Sequence, residues 1–360
     1  GDRQQLVLLE IAKDLGPREQ PGRVLPVRHG RIIPCVALRA EHDARAVTAR
    51  EVEGAAQLIA GDVRKTPLLA AGELGRRVGG RVLLKTENLQ ITGSFKLRGA
   101  VNSIRRLPDE ALRAGVVAAS AGNHAQAVAC AARDAGARAL LVMPAEAPLA
   151  KVAAVRQYGG EVRFVDGGFD EAQTEARRTA EAERLTVVHA FDAPDVVAGQ
   201  GTVGLEIAEA APDVSLIVVP LGGGGLAAGI GLAAAAKLPD ARVVGVQAAG
   251  CAPYIDSLAA HRPIGARSAN TICDGIAVKR PGDFTLPLVE RYLDEVVTVT
   301  DDEIAAAVKW LFASAKIVAE PSGAATTAAV LGRARADGVA VAVVSGGNVA
   351  PDDFARYIAG

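Results

Sequence analysis

From Thr48 onward two rhythms alternate along the chain. Short continuous apolar runs rich in β-branched residues are separated by stretches whose apolar positions recur every three or four residues. RVLLKTEN (81–88), VVAAS (116–120), ALLVMP (139–144), EVRFVD (161–166), TVVHA (186–190), LIVVPL (216–221), RVVGVQ (242–247), EVVTVT (295–300) and VAVAVVSGG (339–347) read as strands. Between them SFKLRGAVNSIRRL (94–107), NHAQAVACAARDAG (123–136), the Ala-rich stretch after Leu221 and DDEIAAAVKWLFASA (301–315) have helical spacing. TAREVEGAAQLIAGDV (48–63) opens on a threonine with an acid three residues on, a capping-box pattern. Apolar strands separated by helices imply parallel strands, right-handed crossovers and helices on both sheet faces, so the chain reads as α/β. Two groups of such units predict two doubly wound lobes. A large domain takes 49–115 and 193–360, and a small domain takes 116–192.

Residues 1–48 lack steady periodicity and are read as an N-terminal extension. QQLVLLEIAKDLG could form one short helix there, and RVLPVRHGRIIPCVALRA a strand or two. No secretory signal is expected, because LVLLEIA runs straight into charges. The apolar runs are too short or too broken for a membrane span.

Composition removes several function classes. The 360 residues carry a formal net charge of -1, which supplies no basic field for general nucleic-acid binding. Aromatic residues make up 3%, too few for a base-stacking platform. Cys35, Cys130, Cys251 and Cys273 are widely spaced and form no CxxC or Cys/His cluster. They predict reduced, mostly buried thiols in a cytoplasmic protein and no zinc site.

Three strand-to-helix turns carry candidate chemistry. LIVVPLGGGGLAAGIGLAAAAKL places Gly222, Gly223, Gly224 and Gly225 between a buried strand and a helix, where free N–H groups and the helix dipole suit a phosphate. The plainer reading, a flexible turn, would spend much chain entropy on four glycines. A dinucleotide site would want an acid at the end of the next strand, where Gln247 stands, and a P-loop would want a lysine. A single phosphate monoester fits better. SAGNHAQA (120–127) puts Ser120, Gly122, Asn123 and His124 at a helix N-terminus. Carboxylate binding and ordinary capping by Ser or Asn explain that stretch about equally well. SGGNV (345–349) ends the last buried strand, where a doubly wound sheet places ligands.

Lys96, between Phe95 and Leu97 in TGSFKLRGA (92–100), completes the set. A lone lysine is ordinarily a snorkelling surface residue. Beside a phosphate loop and a carboxylate loop it points instead to pyridoxal 5'-phosphate, whose aldehyde a desolvated lysine amine can capture as a Schiff base.

TGSFKLRGA, SAGNHAQA, GGGGL and SGGN, in this order, resemble the fold-type II pyridoxal-phosphate enzymes, and within them the threonine/serine dehydratase and serine racemase group. The resemblance runs from about Ala49 to the C-terminus. It implies a tryptophan synthase β-like fold with the cofactor in the cleft between two lobes. Lys96 is then the Schiff-base lysine that also moves the α-proton. Phe95 packs beside the cofactor, Asn123 meets the ring 3-hydroxyl, Gly222 to Gly225 with Leu226 cradle the phosphate, and Ser345 meets the ring nitrogen. Ser120, Ala121, Gly122, Asn123 and His124 lie on the loop that takes the substrate carboxylate. Gly275 in CDGIA and Glu320 in AEPSGA match pocket-side segments. The implied activity is α,β-elimination from L-threonine or L-serine, giving 2-oxobutyrate or pyruvate and ammonia, in a homodimer acting on a free amino acid. Alternatives are dehydration of another β-hydroxy amino acid, β-replacement, serine racemisation, or cofactor binding without turnover.

Three departures sharpen that expectation. Racemases of the group carry a second serine where Ala121 stands, which points away from racemisation. The region in which some members hold a divalent cation reads VQAAGCAPY and lacks acidic oxygen ligands, so no metal is expected. The sequence ends soon after SGGN, so the regulatory domain of isoleucine-regulated dehydratases is not expected.

Overall fold

The computed structural model describes residues 33–34, 47–332 and 338–359. The helix expected over QQLVLLEIAKDLG, and Cys35, lie outside the described residues.

Eleven strands are described: β1 (Ile33–Pro34), β2 (Leu68–Ala70), β3 (Arg81–Thr86), β4 (Val116–Ala119), β5 (Ala139–Pro144), β6 (Glu161–Val165), β7 (Thr186–Val187), β8 (Val214–Pro220), β9 (Arg242–Ala248), β10 (Glu295–Val299) and β11 (Val339–Val344). They form a seven-stranded sheet, β1-β10-β9-β8-β11-β3-β2, and a four-stranded sheet, β6-β5-β4-β7. The chain is α/β with parallel sheets. Only the edge pairs β1 with β10 and β2 with β3 run antiparallel, against the all-parallel expectation. Both edge strands are very short, so a few ladder bonds at the rim satisfy them.

The large sheet is buried on both faces, and the side-chain period of two is visible in its cores. Ile217 and Val219 of β8 and Val341 and Val343 of β11 enter one core; Leu216, Val218, Ala340 and Ala342 enter the other. The first core lies under the helices Ala49–Ile59, Pro194–Ala210 and Gly225–Lys237, and the second under Asp301–Trp310 and Pro321–Gly332. The capping box forms as expected, Thr48 N–H donating to Glu51 over 2.6 Å. Packing does not follow the sheet division strictly. Ile59, Leu97, Ala100, Val101 and Ile104 join the core of the four-stranded sheet, so the Lys96–Arg105 helix carries large-sheet sequence into small-sheet packing.

The strand order reverses twice. From β8 the chain steps outward to β9 and β10, and later returns with β11 on the other side of β8. In the small sheet it steps from β4 to β5 and β6, and returns with β7 on the far side of β4. Such reversals leave crevices at the carboxyl ends of parallel strands. The loops after β8, β11, β4 and β7 hold GGGGL, SGGN, SAGNH and His189–Asp192 respectively.

Candidate active site

Lys96 is delivered by a loop stitched to the end of β11. Ser94 bridges Gly346, Phe95 N–H donates to Ser345 O over 3.1 Å, and Gly347 N–H donates to Gly93 O over 2.9 Å. Gly93 sits at φ +73° with the Asn348 side chain against it, leaving no room for a Cβ. The helix begins at Lys96 itself. Two residues on, fully buried Arg98 pairs with Glu87 over 2.8 Å and with Glu206 over 2.6 Å, and donates to Thr202 Oγ1 over 3.1 Å. Buried Lys85 binds Glu206 and the Thr66 carbonyl in the same cluster. Two cations and two carboxylates leave the cluster neutral, as burial demands.

The Lys96 ammonium donates to Ala190 O over 2.8 Å and lies 5.3 Å from the centre of the Phe95 ring. Desolvation pulls its pKa down to about 8, the Glu320 carboxylate opposing the shift. A lysine in that range can be deprotonated near neutrality, which an exposed lysine cannot.

The glycine loop lies between β8 and the head of the Gly225–Lys237 helix. Gly224 has φ +97°, a conformation that favours glycine. The N–H groups of Gly223, Gly224 and Gly225 find no backbone acceptor among the described residues. Free donors at a helix N-terminus form an anion cradle. Phe191 packs against Gly223 and Gly225 so closely that neither could carry a side chain. The segment Ala190–Phe191 thus links Lys96 to the cradle, through a hydrogen bond at one end and packing at the other. A hollow of about 380 Å³ along Gly72–Val82 is lined by none of these residues, and a cavity of about 30 Å³ lies behind Phe191.

SAGNH resolves the choice left open by sequence as regards capping. The helix Asn123–Asp134 has no side-chain cap; Ser120 Oγ accepts from Gly122 N–H over 3.1 Å instead. The Asn123 amide reaches across to the other sheet, donating to Glu320 Oε1 over 2.7 Å and accepting from Asn348 Nδ2 over 2.8 Å. Asn348 also donates to Thr92 O over 2.8 Å. His124 turns to the end of the small sheet, its Nε2 2.9 Å from Val188 O. Burial and the nearby Lys96 charge push its pKa down to about 3, so it is neutral and donates from Nε2. Glu320 is buried, and desolvation, reinforced by Asp274, raises its carboxyl to about 8. Ser345 is buried, with Oγ 3.5 Å from Ser322 O, and Gly275 N–H donates to Ser322 Oγ over 2.9 Å.

The sequence-predicted loops therefore converge. Lys96, Asn123 and Ser345 are linked through Gly346, Asn348 and Glu320, with the glycine loop reached through Ala190 and Phe191. Ala121 and Leu226 sit in the same two turns. Sequence reasoning did not find the 189–192 segment, Tyr254 or Thr285. His189 Nδ1 accepts the Asp192 N–H over 2.8 Å, and Asp192 accepts the N–H groups of Asp283, Phe284 and Thr285. HAFDAP, a loop with His189 and Asp192 straight after a strand, was the available signal. Gln247, noted only for lacking a carboxylate, donates to Leu221 O over 3.2 Å and accepts from Tyr254 N–H over 3.0 Å, so it braces the root of the glycine loop. Cys130, Cys251 and Cys273 are free and buried. Among the described residues no group of three or more His, Cys, Asp or Glu side chains is placed to hold a metal ion, and no helix is long and apolar enough to cross a membrane.

The chain is 46% identical to the L-threonine ammonia-lyase of Thermotoga maritima over 313 residues, 87% of this chain and 78% of that one. Among solved structures it resembles the processed form of threonine deaminase isoform 2 from Solanum lycopersicum, with a TM-score of 0.85, 32% identity and 93% of each chain covered. It also resembles maize serine racemase, with a TM-score of 0.83, 36% identity, and coverage of 87% of this chain and 97% of that one. Residues 59–346 match the family described as pyridoxal-phosphate dependent enzyme. With four-fifths of its length inside that match, the chain belongs to the pyridoxal-phosphate dependent enzymes, and pyridoxal phosphate is its cofactor.

Proposed function

We propose that the protein is an ammonia-lyase that eliminates the β-hydroxyl of L-threonine, and of L-serine, and releases 2-oxobutyrate or pyruvate with ammonia. The observation that carries this reading is Lys96: a desolvated amine with a pKa brought to about 8, joined by one hydrogen bond to the segment that packs on the glycine cradle. The names of the relatives support threonine as the substrate.

The residues present fit the cofactor. The unpartnered N–H groups of Gly223 to Gly225 suit its phosphate, with Gly222 and Leu226 completing the cradle. Thr92 Oγ1 and Ser94 Oγ, on the loop that delivers Lys96, are buried without a partner among the described residues. Asn123 keeps one amide hydrogen free for a ring oxygen after donating the other to Glu320. Ser345 would meet the ring nitrogen, and Phe95 would flank the ring.

When bound, pyridoxal phosphate supplies an electron sink for the pair left behind at Cα. Lys96 Nζ takes the α-proton, a role its lowered pKa suits. A serine at position 345 places no negative charge beside the ring nitrogen, which favours prompt loss of a β-leaving group. Ser120, Ala121, Gly122, Asn123 and His124 hold the substrate carboxylate at the head of the Asn123–Asp134 helix. The hydroxyl leaves with a proton as water, and hydrolysis of the released enamine gives the oxo acid and ammonia. Ala121 has no exchangeable proton, which separates this site from a racemase that must protonate the opposite face.

The same reading includes a cytoplasmic homodimer. Free buried cysteines support a reducing compartment, and light scattering tests the dimer. A panel of β-hydroxy amino acids, scored for 2-oxo acid and ammonia, tests the substrate. L-Threonine and L-serine should release one of each per molecule consumed. Release from other β-hydroxy amino acids but from neither of these overturns the assignment.

A further inference from the structure

We propose that Thr285, with Tyr254 beside it, is a positioning residue for the cofactor phosphate, acting through the carbonyl of Gly223. This rests on the pyridoxal-phosphate reading and adds residues outside the glycine loop. Two buried hydroxyls converge on that one oxygen: Thr285 Oγ1 donates to Gly223 O over 2.7 Å, and Tyr254 Oη donates to it over 3.2 Å. Both side chains are fully buried. In a trans peptide the C=O and the following N–H point in opposite directions. Holding Gly223 O against the protein body therefore turns the Gly224 N–H the other way, into the cradle. Gly224 has φ +97°, a region open to glycine in either sense, so its own backbone does little to choose the peptide orientation. The choice is imposed from outside.

The support for Thr285 extends one step further. Asp192 Oδ1 accepts the N–H of Thr285 over 2.9 Å and that of Phe284 over 3.1 Å, and its Oδ2 accepts that of Asp283 over 3.1 Å. Asp192 thus fixes the turn that begins the Thr285–Tyr292 helix. Gly282 is pressed against the same carboxylate, with no space for a side chain. Tyr254 is set from a different direction, its N–H held by Gln247 over 3.0 Å. The two hydroxyls lie 3.4 Å apart and come from different elements, yet both turn to the one carbonyl, which indicates that the peptide plane, rather than the packing alone, is what is being held.

The test uses apoprotein titrated with pyridoxal phosphate and, separately, with pyridoxal, which lacks the phosphate but keeps the aldehyde and ring. Thr285→Val removes the hydroxyl at nearly constant volume; Thr285→Ser restores it. Affinity of Thr285→Val for pyridoxal phosphate should fall about tenfold, with affinity for pyridoxal about unchanged. Thr285→Ser should stay within about twofold of wild type for both. If Thr285→Val does not fold, Tyr254→Phe carries the same comparison, with an expected loss of about threefold for the phosphorylated form alone. Equal losses for both compounds, or no loss for either, overturn the positioning role. A wild type that takes up neither compound overturns the pyridoxal-phosphate reading itself.

Discussion

The side-chain amide of Asn123 donates to Glu320 Oε1 over 2.7 Å and so ties the first residue of a small-sheet helix to the residue preceding a large-sheet helix. A second pair crosses the same boundary near the surface, Lys151 to Asp274 over 2.6 Å. Asp274 faces Glu320 as well and helps to hold its proton.

The carboxyl of Glu320 ordinarily titrates at 4.5 and is raised to about 8 here, first by burial and then by Asp274. Between those values the folded apoprotein binds a proton that the unfolded chain does not. Stability attributable to this group is therefore greatest below about pH 4.5 and falls as pH rises toward 8. Glu320→Gln keeps the acceptor for Asn123 and does not titrate. Its stability relative to wild type should rise steadily across that window in urea denaturation of the two apoproteins. A constant difference from about pH 5 to 8 means that Glu320 titrates as an ordinary carboxyl.

Arg98 is the keystone of the buried charge cluster behind Lys96. Its removal leaves Glu87 and Glu206 with Lys85 as the remaining cation of the cluster. Arg98→Met should cost about 3–5 kcal/mol of stability, because an uncompensated charge stays buried. Lysine at 98 should recover only part of this, since it cannot reproduce the bidentate fork. Denaturant unfolding measures both; a loss below about 1 kcal/mol for Arg98→Met contradicts the reading.

Much of this was visible in the letters, for a local reason. Buried parallel strands announce themselves as β-branched runs, and ligand loops follow directly at their carboxyl ends, so GGGGL, SAGNH and SGGN could be placed by reading forward from each strand. Lys96 stood out because its neighbours are apolar. What remained hidden depends on partners distant in sequence. Glu320 lies 197 residues from Asn123, and the Gly223 carbonyl 62 residues from the Thr285 hydroxyl. Nothing in AEPSGA or DFTLP states which way those groups face. The Arg98 cluster likewise draws on four separated segments, each an ordinary polar position by itself. The edge pairing of β2 with β3 escaped because a three-residue strand has too few side chains to show a period.

Under the proposed function, Ala121 is the position that separates elimination from inversion. Racemisation needs a proton acceptor on one face of Cα and a donor on the other, and on the proposed reading Lys96 serves only one face. Incubated with L-serine, the wild type should release pyruvate and make little D-serine, while Ala121→Ser should make measurable D-serine. Chiral chromatography reads both. Wild-type racemisation as fast as pyruvate release would show that Ala121 is not the discriminating position.

Lys96 is proposed as the residue that captures the cofactor, and the chain offers a natural rival in Lys85, a buried lysine held by Glu206 and the Thr66 carbonyl. Borohydride reduction of the holoenzyme, followed by proteolysis and peptide mass analysis, distinguishes them. The peptide containing Lys96 should carry the reduced cofactor, and Lys96→Ala should carry none while losing oxo-acid release from L-threonine. Label on Lys85, label on no lysine, or unaltered turnover in Lys96→Ala would contradict the account.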